Sequence, residues 1–306
     1  MALNIIFMGT PEFAVPALKG IAKSSHKILE VYTQPAKKKD RGQKIQNSPI
    51  YDCAEQLNLK LRCPTSLDTQ DEFDHFKNLK PDLVIVVAYG KIIPKNFLSL
   101  VKMGFLNIHA SLLPKWRGAA PIQRSIMNKD AETGITIMKI EEGLDSGPIL
   151  GQAKIAINEN TDAEILSKIL SQLGTKKLLE VINSLPESLK NSKSQDHSQA
   201  SYAKKISKSE SKILWNQDAK NIIAKINGLN PSPGAWFNFG NDRYKIWKAS
   251  ATELKGNPGE VLDENLTVGC KIGSIKILSI QKEGKSKLSA NEFLLGTKIK
   301  KGNTLG

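Results

Sequence analysis

Apolar positions in the first half of the chain fall in short runs separated by segments with helical spacing. Asn4–Gly9 is an Ile/Phe-rich run that ends on glycine, and Thr10-Pro11 follows it. Proline suits the first turn of a helix, so a helix is predicted from there to about residue 22. Residues 82–88 (Asp-Leu-Val-Ile-Val-Val-Ala) form a near-continuous apolar run bounded by Pro81 and Gly90. That is the pattern of a strand buried on both faces of a parallel sheet. Residues 27–33, 105–109 and 133–140 read as further strands. Helices are predicted at 49–58, 70–79, 94–102 and 119–128. Strand and helix in alternation predict an α/β, Rossmann-like open sheet, whose ligands would bind at the carboxyl ends of the strands.

A long helix is predicted at 161–182. Residues 184–211 are then dominated by Ser, Lys, Asn and Gln without an apolar period, which is linker composition. Beyond 212 a helix at 216–227 leads into short runs punctuated by Gly and Pro: 235–239, 244–249, 259–262, 267–271 and 274–280. These predict a small β-barrel or sandwich. The expected organisation is an N-terminal domain over 1–183, a linker over 184–211 and a C-terminal β-domain over 212–306.

Charge sharpens this division. The chain has 306 residues and a net charge of +14, enough to point to a polyanionic partner, although a solubility charge fits equally well. Residues 201–306 hold 18 Lys and Arg against 9 Asp and Glu, so the last third carries most of the excess. A small basic β-domain, OB-like in type, suits nucleic acid. The three cysteines, Cys53, Cys63 and Cys270, form no C-x-x-C pair and give no zinc or redox motif. With no basic leader and no apolar stretch long enough to span a bilayer, a cytoplasmic protein without membrane contact is expected.

Two places offer chemistry. Asn107 and His109 lie two apart on an apolar run, so a strand would place both on one face, just before the turn Ser111-Leu112-Leu113-Pro114. An amide and an imidazole side by side can stabilise a developing oxyanion. Spacing alone fits a hydrogen-bonded strand-end histidine better. Asp145 lies in the glycine-flanked loop after 133–140, where an Asx-turn acid is the plainer alternative. Convergence of Asn, His and Asp on one sheet edge strengthens the catalytic alternative. His26, His75 and His197 lie in polar or amphipathic contexts and read as surface residues. A third feature is the segment 34–49, with Lys37, Lys38, Lys39, Arg41 and Lys44 against Asp40. At about 16 residues it is long for a strand-to-helix loop, which fits either a phosphate-gripping arm or a solvated loop. Gly9-Thr10-Pro11 lacks the glycine pattern of a nucleotide-binding loop.

Together these residues resemble the methionyl-tRNA formyltransferase family. Gly9-Thr10-Pro11-Glu12-Phe13-Ala14 resembles its N-terminal signature, and Asn107-x-His109, Ser111-Leu112-Leu113-Pro114 and Arg117-Gly118 resemble the core of the wider folate formyltransferase group. Asp145-Ser146-Gly147-Pro148 resembles its third catalytic element, and the loop with Arg41-Gly42 its tRNA-contacting insertion. Ser232 and Asn227 depart from it, standing where Trp and Arg are usual. The resemblance implies 10-formyltetrahydrofolate as formyl donor, methionyl initiator tRNA as acceptor and no metal. Asn107 and His109 would stabilise the oxyanion, and Asp145 would orient His109 and help take the amine's proton. The folate would lie against Tyr89, Gly90, Lys91 and Ile92, with Ser111, Leu112, Leu113 and Pro114 beneath it. Lys37, Lys38, Lys39, Arg41 and Lys44 would contact the tRNA, and a monomer is expected. Another enzyme of the wider group (a formyltransferase for a purine precursor or nucleotide-sugar amine, or a formyl-folate hydrolase) and a non-catalytic nucleic-acid-binding protein on an α/β scaffold are the two rival readings.

Overall fold

The computed structural model describes residues 2–39 and 44–306. Contacts divide the chain into two compact units, each assembled from separate stretches of sequence. The first takes 1–118, 134–155 and 167–202; the second takes 119–133, 156–166 and 203–306. The serine- and lysine-rich segment expected as a linker is not structureless. It contains a helix at Leu185–Lys190 and a 3-10 turn at His197–Gln199.

The strands, in chain order, begin with β1 (Asn4–Gly9) and β2 (Lys27–Tyr32). A short ribbon of β3 (Lys37–Lys39) and β4 (Lys44–Gln46) follows, then β5 (Leu61–Arg62), β6 (Leu83–Val87) and β7 (Phe105–His109). Next come β8 (Arg117–Gly118), β9 (Glu132–Lys139), β10 (Ile149–Ala156) and β11 (Tyr202–Ala203). The main sheet of the first unit has the order β10-β9-β7-β6-β1-β2-β5. β6 is parallel to both β1 and β7, as its unbroken apolar run predicts, and all five of its residues are buried. The sheet is nevertheless mixed, because β9 runs antiparallel to β7. The sequence pattern does not anticipate β10. Its outer half alternates exposed and half-buried residues, and Gly151 and Gln152 dilute its apolar content.

Successive strands step away from β1 on one side to β2 and on the other to β6. The strand order therefore reverses between β1 and β6, which opens a crevice beyond their carboxyl ends. One face of the sheet is closed by a cluster that includes Ile6, Met8, Val84, Val86, Phe76, Phe97 and Phe105. Helix Gln70–Leu79 supplies Phe76, which stacks on Phe105 with ring centroids 6.0 Å apart. The Thr69 side chain caps that helix at its predicted boundary. The expected helix at 94–102 shrinks to Lys95–Leu98: it starts within a residue of the expected position, behind Pro94, and ends at Ser99, after which the Leu100 amide turns back onto the Phe97 carbonyl at 3.0 Å. His75 is not a free surface residue: it is half-buried and pairs with the buried Glu30 at 2.7 Å.

In the second unit, β12 (Ala235–Phe239), β13 (Asp242–Thr252), β14 (Thr267–Gly269), β15 (Ser274–Lys282) and β16 (Leu288–Ser289) form an antiparallel sheet of order β12-β13-β15-β14, with β16 on β15. Helix Ala219–Leu229 lays Ile222, Ile226 and Leu229 into the same core as Phe237, Tyr244, Ile246 and Ile277. The run 259–262 makes only isolated bridges, Glu260 to Thr304 and Val261 to Val268. Among the described residues no helix is long and apolar enough to cross a membrane.

Candidate active site

β7 carries the first two candidate residues, Asn107 and His109. Ile108 is buried, and its Cγ2 would lie 2.7 Å from a Cβ placed on Gly174 of helix Ala163–Asn183. The helix backbone therefore seats directly on that face, at a position where only glycine fits without displacement. Strand alternation turns Asn107 and His109 to the opposite face, that of Phe105. Asn107 is half-buried, and among the described residues its carboxamide takes no hydrogen bond. His109 is 5 % exposed, and its Nε2 lies 2.9 Å from the carbonyl oxygen of Trp116. A carbonyl can only accept, so Nε2 carries the proton and Nδ1 is the nitrogen left for other work.

The turn that follows β7 is braced from inside. Ser111 is fully buried and donates to the Lys115 carbonyl at 2.5 Å. Thr136 of β9 donates to the Ser111 carbonyl at 2.7 Å and accepts from the Leu113 amide at 3.1 Å. Gln152 of β10 donates to the Leu113 carbonyl and to Thr136. Trp116 sits at φ +63°, in the region that favours glycine, at a cost on the order of 1 kcal/mol. Its backbone amide donates to Ser201 Oγ at 3.0 Å.

Asp145 arrives from the loop between β9 and β10. It too adopts a left-handed conformation, with φ +48°. Its Oδ2 accepts from the Gly118 amide at 2.8 Å and lies 3.6 Å from Nδ1 of His109. That separation is an ion-pair distance, not a hydrogen bond, so the imidazole is held chiefly by Trp116 and only faced by Asp145. Oδ1 takes no hydrogen bond among the described residues. Gly147 packs so closely that an added Cβ would meet the Lys139 carbonyl. We expect Gly147→Ala to cost about 1–3 kcal/mol, because the neighbour is backbone and cannot swing aside. A thermal melt and a turnover assay check this, with turnover falling roughly 10-fold as Asp145 moves.

The strand-end segment after β6 lies at the crevice. Ala88 and Gly90 have φ +47° and +78°. The Tyr89 carbonyl accepts from Thr10 Oγ1 at 2.8 Å and from Gln34 Nε2 at 2.9 Å, which ties the ends of β1 and β6 together. This is what the Gly9-Thr10-Pro11 signature does here. The Tyr89 ring points inward: it is 1 % exposed, and burial pushes its hydroxyl above the ordinary tyrosine range. Lys91 is spent on the carbonyls of Pro64 and Thr65, and burial, then the charge of Lys37, lowers its pKa. Ala88, Gly90 and Ile92 are the exposed positions, with Ile92 at 92 %; Leu144, in the loop after β9, is exposed as well.

Residues 3–182 match the family model for formyl transferases, and 205–298 match that for the formyl transferase C-terminal domain. A methionyl-tRNA formyltransferase of Pelagibacter ubique is 52 % identical over all of this chain and 99 % of its own length. One from Chelativorans is 40 % identical over the whole of both chains. The chain belongs to the methionyl-tRNA formyltransferases. Solved structures share the fold at low identity. An N-formyltransferase from Helicobacter canadensis, in complex with folinic acid and dTDP-3-aminofucose, superposes with TM-score 0.67 at 23 % identity, over 92 % of this chain and all of that one. HypX from Aquifex aeolicus in complex with tetrahydrofolic acid gives 0.68 at 18 % identity, over 98 % of this chain and 49 % of that one.

In this formyltransferase the basic segment forms the ribbon β3–β4, whose register pairs Lys37 with Gln46, Lys38 with Ile45 and Lys39 with Lys44. Lys37 is exposed and donates to Gln34. Arg41 lies outside the described residues, as do the side chains of Lys38, Lys39 and Lys44. The second unit carries a surface that sequence reasoning does not single out. β12 and β13 turn Ala235, Phe237, Tyr244 and Ile246 inward and leave Trp236 and Trp247 on the outward side. Arg243 lies 4.2 Å from the Trp236 ring centroid, and Lys245 and Lys287 lie 5.5 and 5.6 Å from that of Trp247. The alternation is legible in the sequence and already puts Lys245 beside Trp247 on β13, but the approach of Arg243 to Trp236 across the β12–β13 pair, and of Lys287 to Trp247, comes from the packing of separate segments. Gln34, Gln152 and Gln195 also escape sequence reasoning, because an uncharged amide that acts on a distant segment leaves no local pattern.

Proposed function

We propose that Asn107, His109 and Asp145 carry formyl transfer from 10-formyltetrahydrofolate to the amino group of methionyl initiator tRNA. The observation that carries this reading is the meeting of His109 Nδ1 and Asp145 Oδ2 at 3.6 Å, on the strand that also bears the uncommitted Asn107 carboxamide. The neutral amine attacks the formyl carbon and a tetrahedral oxyanion forms. Asn107 donates to that oxygen, and a proton on His109 Nδ1 faces Asp145 and adds positive charge beside it. Oδ1 of Asp145 accepts the proton released by the amine, directly or through a water. The C–N bond to the folate then breaks, and the folate nitrogen takes the proton that Asp145 had accepted, directly or through a water, which restores the carboxylate. The products are the formylated aminoacyl-tRNA and tetrahydrofolate. Among the described residues no group of His, Cys, Asp and Glu is arranged to hold a metal.

The folate would lie along the exposed backbone at Ala88 and Gly90, with Ile92 and Leu144 as apolar cover and the Leu112–Pro114 turn below. Tyr89, Lys91 and Ser111 would serve through backbone or as internal braces, since their polar side-chain atoms are buried or engaged. Residues 1–183 act as the catalytic domain in this reading, 184–211 as the connection and 212–306 as an OB-like, tRNA-binding domain. The β3–β4 ribbon, with Lys37, Lys38, Lys39, Arg41 and Lys44, and the face with Trp236 and Trp247 would take phosphates and stacked bases. We expect a monomer, working in the cytoplasm.

The deciding assay compares formyl transfer from 10-formyltetrahydrofolate to methionyl initiator tRNA with transfer to a nucleotide-linked amino sugar. Transfer to the tRNA alone is expected; transfer to the small amine alone would replace the acceptor. Binding of tRNA should also weaken steeply with salt. About five phosphate contacts would give a slope near −4 in log affinity against log salt. A flat titration between low and physiological salt would remove the basic surfaces from the reading.

A further inference from the structure

The loop that carries Asp145 is held by a side chain far along the chain. Gln195 is 6 % exposed, and its Nε2 donates to the Asp145 carbonyl at 2.9 Å and to the Gly147 carbonyl at 2.7 Å. Its Oε1 accepts from Arg117 Nε at 3.0 Å and from a terminal nitrogen of the same guanidinium at 2.7 Å. Arg117 is itself 3 % exposed, and its other terminal nitrogen lies 3.2 Å from His197 Nδ1. The guanidinium fork admits only an acceptor, and the two carbonyls admit only a donor. The amide therefore has one orientation, and the cation polarises it so that its N–H groups bind more strongly.

The neighbours of Arg117 touch the same site. The Trp116 carbonyl takes His109 Nε2, and the Gly118 amide takes Asp145 Oδ2. Three consecutive residues thus reach the imidazole, the carboxylate and, through Gln195, the backbone beneath the carboxylate. Asp145 stands in a left-handed conformation at φ +48°, which an unrestrained aspartate would readily leave. We propose that Gln195, oriented by Arg117, is a positioning residue that fixes the Asp145 loop and so sets the carboxylate against His109. This rests on the reading of Asp145 as the proton acceptor.

The test is Gln195→Glu, alone and combined with Asp145→Asn. A carboxylate keeps the volume, still accepts from Arg117 and now pairs with its charge, so the chain should fold, but it offers the two carbonyls no donor. We expect kcat to fall roughly 10- to 100-fold, the order that a displacement of about 1 Å can cause, with KM for both substrates within about 2-fold. In the Asp145→Asn background the same change should cost less than about 3-fold, because the group it positions is gone. Wild-type kcat in Gln195→Glu, a loss confined to KM, or an undiminished further loss in the double variant would each overturn the proposal. If Gln195→Glu does not fold by circular dichroism and thermal melt, Gln195→Asn replaces it. Its amide is one methylene too short to reach both partners, and the same outcomes apply. Asp145→Asn by itself separates the two readings: full activity there defeats the role of Asp145, whereas its loss with a silent Gln195→Glu defeats only the positioning role.

Discussion

Asp145→Asn should lower kcat by about 100- to 10,000-fold while the chain stays folded, the range found when a positioned general base is removed. Asparagine is nearly isosteric, and its oxygen can still accept from the Gly118 amide, which lies 2.8 Å from Oδ2. What it loses is the negative charge facing His109 and the free Oδ1 as a proton acceptor. A purely structural aspartate would show the opposite signature, with a reduced melting temperature and near-normal turnover. Steady-state kinetics on methionyl-tRNA, with a thermal melt on the same sample, separate the two. Near-normal kcat would remove Asp145 from the chemistry.

The second large effect concerns Asn107. Asn107→Ala should reduce kcat by roughly 100- to 1000-fold, or about 3–4 kcal/mol, as for the loss of one oxyanion donor. Its carboxamide has no hydrogen bond to lose among the described residues, so little stability is at stake. Substrate affinity should hold, because the donor strengthens its bond only as charge develops on the formyl oxygen. Unchanged melting with a collapsed kcat is the expected result. Retained turnover would show that the oxyanion is stabilised elsewhere, and a large fall in melting temperature would show that Asn107 is part of the scaffold.

Both residues are legible in the sequence, though on different grounds. Asn107 and His109 follow from the two-residue period of β7, and helix Ala163–Asn183 on the Ile108 side fixes which face they share. The meeting of His109 with Asp145 can only be suspected from sequence, since 36 residues separate them along the chain. The geometry also changes the expected division of labour. The Trp116 carbonyl, not Asp145, fixes the imidazole, and that contact depends on a tryptophan held at φ +63°. No propensity argument would place a bulky residue there. The side chains of Tyr89, Lys91 and Ser111 look available in the sequence and are not, because each satisfies a requirement of its own turn or core.

Local pattern determined the strands β1, β2, β6 and β7, the helices at 49–58 and 70–79 to within a few residues, and the break in composition that precedes the second β-rich region. These follow from burial and backbone geometry, which act over one or two turns of chain. Only the tertiary structure decided the antiparallel insertion of β9, the edge strand β10, the division of the chain into units that interleave in sequence, and the placing of Gln195 under Asp145. Each of these is a choice of partner between segments far apart along the chain. A single segment's periodicity records which face it must bury; it does not record what will be packed against that face.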